Sequence, residues 1–364
     1  MNKLHETRFA ALQKTMAEQN VDCVAICNSP NLFYMTGYAP HKDERFQVVF
    51  VPQQGKPIMA VPKIYDMASR ACEVEDKRFW TDGIDMLAYV KGILAELGCV
   101  GGRIAIDDTF EFRTFNLIRL ATPASEFVPG SNLFTLLRMR KSPEEIEMMK
   151  VSGQLSDWAT QMVIDQIMTG KSEAELKTWI EYELAQKGMR WGFSNLIAFG
   201  ENTGSAHHVS GPRTAKQGDA IYLDLGGSID HYWSDITRSL HVGKPDAEYV
   251  EVYNRVREAQ HLAFEAIKPG VRACDVHMLA WNYLEKYDLA KWFPHRLGHG
   301  VGMDGHELPN LAKDSQIILE PGMTFSCEPG VYNGRWGVRI EDTVCVTETG
   351  AISFNHFTKD LIIL

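Results

Sequence analysis

The chain has 364 residues, of which 45% are hydrophobic and 23% charged, and its 37 Lys+Arg against 47 Asp+Glu give a formal net charge of -10. That length accommodates two domains of ordinary size, each with its own core. The negative balance repels phosphate backbones and anionic lipid, and no stretch approaches the roughly 18 apolar residues of a bilayer span, so neither nucleic acid nor a membrane is expected as a partner.

The N-terminal stretch MNKLHETRFAALQKTMAEQN is amphipathic and charged, without the apolar centre or small-residue cleavage site of a signal peptide. The seven cysteines (23, 27, 72, 99, 274, 327 and 345) include no C-x-x-C pair, which argues against a disulfide framework and a thiolate zinc site. A reducing, cytoplasmic setting is expected. Phe9, Leu12 and Met16 form a helical stripe, VDCVAICN and FQVVFVP read as short buried strands, and a helical segment near 84–97 precedes the strand GRIAID. These elements predict a compact α/β domain over 1–135 with little clustering of polar groups.

At 136–145, LLRMRKSPEE, a basic run leads into Ser142, Pro143 and Glu145, a capping box with proline at the first helical position. This segment is taken as the linker, with the boundary near 140 and a second domain over 146–364. One helix is predicted from there to Gly170. Ser172 and Glu175 repeat the start signal for a second that ends near Gly188, and from 193 onward strands dominate, interrupted by helices near 246–268 and 274–286.

Residues 222–238, YLDLGGSIDHYWSDITR, carry two aspartates among strand-like residues. Alternation puts Tyr222 and Asp224 on one face of a strand over 219–225, and Trp233, Asp235 and Thr237 on one face of 232–239. With a turn containing Gly226, Gly227 and Asp230, an antiparallel hairpin would set the two aspartates opposite each other. Two carboxylates held so in a half-buried sheet are costly without a cation, whereas on an exposed hairpin they are simply solvated. From this stretch alone the two readings weigh equally.

MTFSCEPG at 323–330 sets Met323, Phe325 and Cys327 against Thr324, Ser326 and Glu328, and GVRIEDTVCV at 337–346 sets Val338 and Ile340 against Arg339 and Glu341. Asp342 falls with Ile340 and Val344, as expected of a hydrogen-bonded or ion-paired residue rather than a ligand. HRLGHGVGMDGHELP at 295–309 adds three histidines (295, 299 and 306) among four glycines. Its GVGMDG matches G-x-G-x-x-G, yet no apolar strand precedes it and Pro309 follows, so it fails as a dinucleotide fingerprint. Four carboxylates and an imidazole suit divalent cations such as Mn²⁺, Zn²⁺ or Co²⁺, and two dications neutralise four buried negative charges where one would not. Two metals about 3.5–4 Å apart can share and activate a water.

These segments together resemble the pita-bread-fold metallopeptidases, in particular the Xaa-Pro dipeptidase (prolidase) and aminopeptidase P branch. The likeness rests on D-L-G-G at 224–227, S-D-I-T-R at 234–238, G-H-G-V-G-M-D-G-H-E-L-P at 298–309, E-P-G-V-Y at 328–332 and V-R-I-E-D at 338–342, in that order. The first half, with NSPNLFYMTGY at 28–38, is similar to the creatinase-type N-terminal domain that accompanies this branch. The resemblance implies an α/β (α+β) architecture in which a creatinase-like domain precedes a catalytic domain with a curved, largely antiparallel sheet flanked by helices.

It further implies two divalent ions per subunit, Mn most readily, with Co or Zn as alternatives. Asp224 would chelate one ion, Asp235 and Glu341 would bridge both, and His299 and Glu328 would complete the second. Glu328 would also shuttle the proton from a metal-bridging water to the leaving proline nitrogen, and His306 would polarise the scissile carbonyl. His207 would bind substrate, Arg339 would hold the substrate carboxylate or a ligand carboxylate, and His295 and Tyr332 would line the pocket. Where many relatives have proline before the substrate histidine, this chain has Ala206, and His208 follows, which leaves His207 and His208 as alternatives. The other histidines (5, 41, 231, 241, 261, 277 and 356) read as core or surface residues.

The implied activity is hydrolysis of the bond between an N-terminal residue and proline in a small peptide, by a cytoplasmic homodimer. Same-fold enzymes acting on osmolytes, of the ectoine hydrolase or dimethylsulfoniopropionate lyase type, and non-catalytic binding relatives are the competing classes.

Overall fold

The computed structural model describes residues 1–27, 29–41, 43–190 and 195–364. It divides into two compact units, Met1–Arg138 and Met139–Leu364.

In the first unit, helix α1 (Lys3–Glu18) starts at Asn2, whose side chain caps the His5 amide, and buries Phe9, Leu12 and Met16. The strands are β1 (Cys23–Ile26), β2 (Val48–Pro52), β3 (Ile58–Pro62), β4 (Asp76–Trp80), β5 (Arg103–Ile106) and β6 (Glu126–Pro129), and they form one sheet in the order β4-β3-β2-β1-β5-β6. Pairings β1–β2 and β2–β3 are antiparallel, whereas β3–β4, β1–β5 and β5–β6 are parallel. Helix α2 (Pro30–Thr36) begins at the Ser29 cap and stops at Gly37, whose φ of 70° is the left-handed conformation that glycine adopts freely. This helix forms most of the NSPNLFYMTGY motif, of which Asn28 lies outside the described residues. Helices α3 (Met86–Glu96), α4 (Phe112–Ala121) and α5 (Ser131–Arg138) complete the unit.

The second unit opens with α6 (Pro143–Gln166) and α7 (Glu173–Gln186), and both predicted capping boxes form, Ser142 with Glu145 and Ser172 with Glu175. The glycines expected to end them, Gly170 and Gly188, have φ of 86° and 80°. The expected strand onset at 193 falls outside the described residues. Strand β7 covers Leu196–Phe199, followed by β8 (Ala220–Ile229), β9 (Tyr232–His241), α8 (Ala247–Ala266), α9 (Ala273–Glu285), β10 (Gly298–Gly300), β11 (Glu307–Leu311), β12 (Thr324–Cys327), β13 (Gly330–Tyr332), β14 (Gly337–Arg339), β15 (Glu341–Val346), β16 (Ala351–Ser353) and β17 (Ile362–Ile363). The main sheet runs β11-β10-β12-β15-β9-β8-β7, antiparallel throughout that path, with β16 on β15 and β17 parallel to β9. Leu176 and Ile180 of α7 pack with Ile221, Leu223 and Leu225 of β8. Val256 and Ala280, from α8 and α9, pack with Phe325, Cys327 and Val344. The expected mixed architecture with a largely antiparallel catalytic sheet is what forms.

Three local expectations are corrected. Gly226 and Gly227 lie within β8 rather than in the turn, which Asp230 and His231 make with φ of 46° and 70°, a two-residue connection that suits the strand twist. Gly227 is needed for closeness instead, since a Cβ there would stand 2.9 Å from the Arg190 carbonyl oxygen. Register pairs Asp235 with Gly226 and Asp224 with Thr237, so the two aspartates share a face diagonally rather than directly opposite. The 337–346 stretch is also two strands, because β14 pairs with β13 while β15 joins the main sheet.

Candidate metal centre

Strand alternation aims Asp224 of β8 and Asp235 of β9 at one face, and the Glu341–Thr237 pairing of β15 with β9 brings a third carboxylate there. His299 sits on β10, and Glu328 immediately follows β12. Potential ligand atoms of Asp235, His299 and Glu341 all lie within 4.8 Å of one another. Glu328 Oε1 is 3.3 Å from His299 Nε2, and Asp235 Oδ2 is 4.0 Å from it. Gly298 permits this convergence, because a Cβ there would come within 1.8 Å of the Ser326 carbonyl oxygen on β12.

The supporting groups fix orientation. His299 donates from Nδ1 to the Gly300 carbonyl at 3.2 Å, which leaves the Nε2 lone pair facing the carboxylates. The Thr237 hydroxyl donates to Glu341 Oε2 at 2.6 Å and accepts from Arg339 Nε at 2.9 Å. Ser326 Oγ donates to Glu328 Oε1 and accepts from the His299 amide, each at 3.0 Å. Arg339 donates from Nη2 to Asp224 Oδ2, and from Nη1 to Tyr332 Oη at 2.9 Å and the Ala206 carbonyl at 3.2 Å. Oδ1 of Asp224 and Oδ1 of Asp235 are buried with no partner among the described residues.

The electrostatics are those of a buried cluster of like charges. Burial, and then the Glu341, Asp224 and Glu328 charges, push the Asp235 carboxyl well above its ordinary range. Burial followed by Glu328 and Asp224 does the same to Glu341. Burial raises Glu328 to about 7 against the opposing pull of Arg339. His299 is driven well below the usual imidazole range, first by burial and then by His306.

A cavity of about 620 Å³ opens over the cluster, with His207, His208, His295, Arg296 and His306 on its walls beside the carboxylates. His306 lies 3.8 Å from His299 between ring centroids. His295 donates from Nδ1 to the Arg296 carbonyl at 2.8 Å, and its Nε2 faces Tyr332 Oη at 3.3 Å. Burial lowers His295 to about 4, so the ring is neutral. His208 is bound by Nε2 to Glu173 Oε2 at 2.8 Å, whereas His207 carries no hydrogen bond among the described residues. Tyr332 does not line the cavity; its hydroxyl stands behind the wall between Arg339 and His295.

All ten site residues singled out in the sequence therefore lie in or directly behind one cavity. Thr237, Ser326, Glu173 and Arg296 were not among them. Alternation had already put Thr237 on the Asp235 face and Ser326 on the Glu328 face, so those two carried a readable signal. Glu173 carried none, because its acceptance of the Phe199 and Gly211 amides depends on how a distant loop folds back.

Residues 147–348 match the model of metallopeptidase family M24, and residues 8–140 match that of the creatinase/prolidase N-terminal domain. The chain belongs to metallopeptidase family M24. Full-length relatives place it in the prolidase and aminopeptidase P branch. It is 31% identical over 358 residues to an Xaa-Pro dipeptidase of Pyrococcus furiosus, covering 98% of this chain and 99% of that one. It is 32% identical over 359 residues to an Xaa-Pro dipeptidase of Lactobacillus helveticus, covering 97% and 98% respectively. A solved dipeptidase of Pyrococcus horikoshii superposes with a TM-score of 0.93 at 34% identity, over 98% of this chain and all of that one. This M24 chain is thus a metal-dependent peptidase, with the creatinase-like and pita-bread domains expected from its motifs. None of its described helices is long and apolar enough to cross a membrane.

The residues present fit the divalent metal that the family implies. The two carboxylate oxygens without a partner among the described residues, the Nε2 lone pair of His299 and the concentration of buried negative charge form a hard donor set suited to divalent cations.

Proposed function

We propose that the chain is a dinuclear Xaa-Pro dipeptidase, with Asp224, Asp235, His299, Glu328 and Glu341 as the metal ligands. The observation that carries this reading is the convergence of four carboxylates and one imidazole on a single cavity floor, in a chain whose full-length relatives include enzymes named Xaa-Pro dipeptidases. Four carboxylates would balance two dications, and Asp235 and Glu341, central to the cluster, would be shared between them. Bound divalent ions supply Lewis acidity and an activated water; Mn²⁺ suits the oxygen-rich set best, with Co²⁺ and Zn²⁺ as alternatives.

The chain's own groups then divide the work. Glu328, held on the cavity floor by the Ser326 hydroxyl, accepts a proton from the attacking water and delivers it to the proline nitrogen, which must be protonated to leave. Arg296 Nη2 lies 3.5 Å from His306 Nδ1, so the neutral ring carries its proton on Nε2 and donates it to the scissile carbonyl. His207, free while His208 is tied to Glu173, contacts the substrate. Arg339 is committed to Asp224 and holds that ligand carboxylate rather than the substrate. An X-Pro bond has no amide hydrogen, so these walls recognise it without a donor from the leaving nitrogen. The chain acts on small peptides as a cytoplasmic homodimer, with the creatinase-like domain over 1–135 and the catalytic domain over 146–364.

The test is to strip the chain, reload it with Mn²⁺, Co²⁺ or Zn²⁺, count bound ions by mass spectrometry, and assay Ala-Pro, Ala-Pro-Gly-Gly, ectoine and dimethylsulfoniopropionate. About two ions and metal-dependent cleavage of Ala-Pro in preference to the longer peptide are expected. Turnover confined to the osmolytes would reject the reading.

A further inference from the structure

The connection between β10 and β11, residues 301–306, brings His306 to the cavity and enters β11 at Glu307. The His306 ring is loosely tied, for its one hydrogen-bonding contact among the described residues is the long approach of Arg296 Nη2 to Nδ1, at 3.5 Å. Its place therefore depends on the backbone around it, which two clamps hold. On one side Trp233 of β9 donates its amide to the Gly302 carbonyl at 2.8 Å and its indole Nε1 to the Met303 carbonyl at 3.1 Å. On the other the Glu307 side chain turns back, and its Oε2 accepts the Asp304 amide at 3.3 Å, closing residues 304–307 on themselves with His306 inside.

Lys141 holds that second clamp from a distant part of the sequence. Its Nζ donates to Glu307 Oε1 at 2.6 Å, and the two side chains are only 3% and 10% exposed. A Cβ on Gly302 would stand 2.3 Å from Glu307 Oε1 and 2.8 Å from Lys141 Cε, so the pair packs directly on the loop backbone. Lys141 is itself well anchored: its amide donates to the Gly322 carbonyl at 2.8 Å, and Arg140 bridges to Met323, just ahead of β12. Because desolvation offsets most of the attraction in a buried ion pair, such a pair contributes less to net stability than to a fixed arrangement of the groups around it.

We propose that Lys141 is a positioning residue for the reaction, which through Glu307 holds the 304–307 loop that sets the His306 ring at the scissile carbonyl. This rests on the peptidase reading above, and it extends the groups on which the chemistry depends to the segment preceding α6. His306 acts where charge develops in the transition state, so a displaced ring lowers kcat more than it raises KM. A misplacement of about 1 Å is enough to cost about 10²-fold.

The test uses the full-length, metal-loaded chain, its Lys141→Met, Lys141→Arg and His306→Ala variants, and the combination of Lys141→Met with His306→Ala, all assayed on Ala-Pro. Lys141→Met is expected to lower kcat about tenfold or more, with KM within about threefold and bound metal unchanged. Lys141→Arg, which keeps the charge, should recover most of that loss. In the His306→Ala background Lys141→Met should cost less than about twofold, because the group it positions is already gone. An equal loss in both backgrounds, a loss of metal in proportion to activity, or no loss overturns the assignment. Should an unpaired Glu307 keep Lys141→Met from folding, Glu307→Gln takes its place in the same cycle, with the same expected outcomes. If the wild-type chain does not cleave Ala-Pro, or His306→Ala leaves kcat unchanged, the reading of His306 fails separately. Lys141 is then read from the imidazole NMR signals of histidine-labelled, Zn²⁺-loaded protein, with His306 assigned by its loss in His306→Ala. A shift of that signal in Lys141→Met, with those of His277 and His295 unmoved, supports the positioning; movement of all three, or of none, refutes it.

Discussion

Glu341 and Asp342 are neighbours on one strand, equally buried, and their charges have opposite fates. On the back of the sheet Asp342 is matched: Arg238 Nη2 donates to Oδ1 at 2.7 Å and Lys359 Nζ to Oδ2 at 2.5 Å. Those cations hold its carboxyl below the ordinary range despite the opposing effect of burial. On the cavity side Glu341 has a threonine hydroxyl for company and the carboxylates of Asp235, Glu328 and Asp224 nearby, and its carboxyl is pushed far up. The back face balances its charge from within the sequence, whereas the front face leaves its balance to ions that the chain does not encode. A buried acid therefore signals a ligand site only when its compensation is missing.

Removing one charge from each face separates the two situations most strongly. Glu341→Gln is expected to lower kcat/KM by more than about a hundredfold, the effect that loss of an outer partner alone already reaches, and to reduce the metal content. In metal-stripped protein the same change should leave stability unaltered or raised, because one of several repelling charges is gone. Retention of full metal content and activity would refute the ligand role. Asp235→Asn should behave alike.

On the other face, Arg238→Met leaves Asp342 buried with Lys359 as its remaining cation. A loss of about 3–5 kcal/mol is expected in urea unfolding, with or without metal. A change below about 1 kcal/mol would show that Lys359 suffices and that the two faces differ less than their geometry indicates.

The smallest effect is a slope. In metal-free protein the folded state holds protons on Glu328 that the unfolded chain releases, since its carboxyl is raised from 4.5 to about 7. Raising the pH across that window therefore removes stability. Asp342 acts in the opposite sense, its contribution being present above the ordinary aspartate value of 3.8 and lost below it. Urea midpoints of EDTA-treated protein should fall between pH 5 and pH 7, and less steeply in Glu328→Gln. With Mn²⁺ bound the fall should vanish. A rise in the stripped protein would contradict the charge imbalance.

Much of this contrast was legible before any coordinates. Period-two alternation separated Glu341 from Asp342, put Asp224, Asp235 and Glu328 on polar faces, and sent Cys327 to the core, where burial pushes its thiol up. Capping boxes located two helix starts to the residue. Tertiary approach was not legible. Gly227, read as part of a turn, serves a close crossing by the Arg190 segment, and the choice between His207 and His208 depends on a contact from Glu173. Each depends on chain segments far apart in sequence, which no local pattern records.

The two-residue turn at Asp230 and His231 has a consequence for the order of assembly. It closes β8 onto β9 with almost no loop entropy to overcome, a step that in isolated hairpins takes about 1–10 μs. Glu341 must cross 104 residues to reach Thr237. Half of the acidic floor can thus form early, while the remainder waits for slow, long-range pairing. Metal added at the start of refolding should accordingly accelerate the late phase alone, because the nascent hairpin presents too few donors to retain an ion.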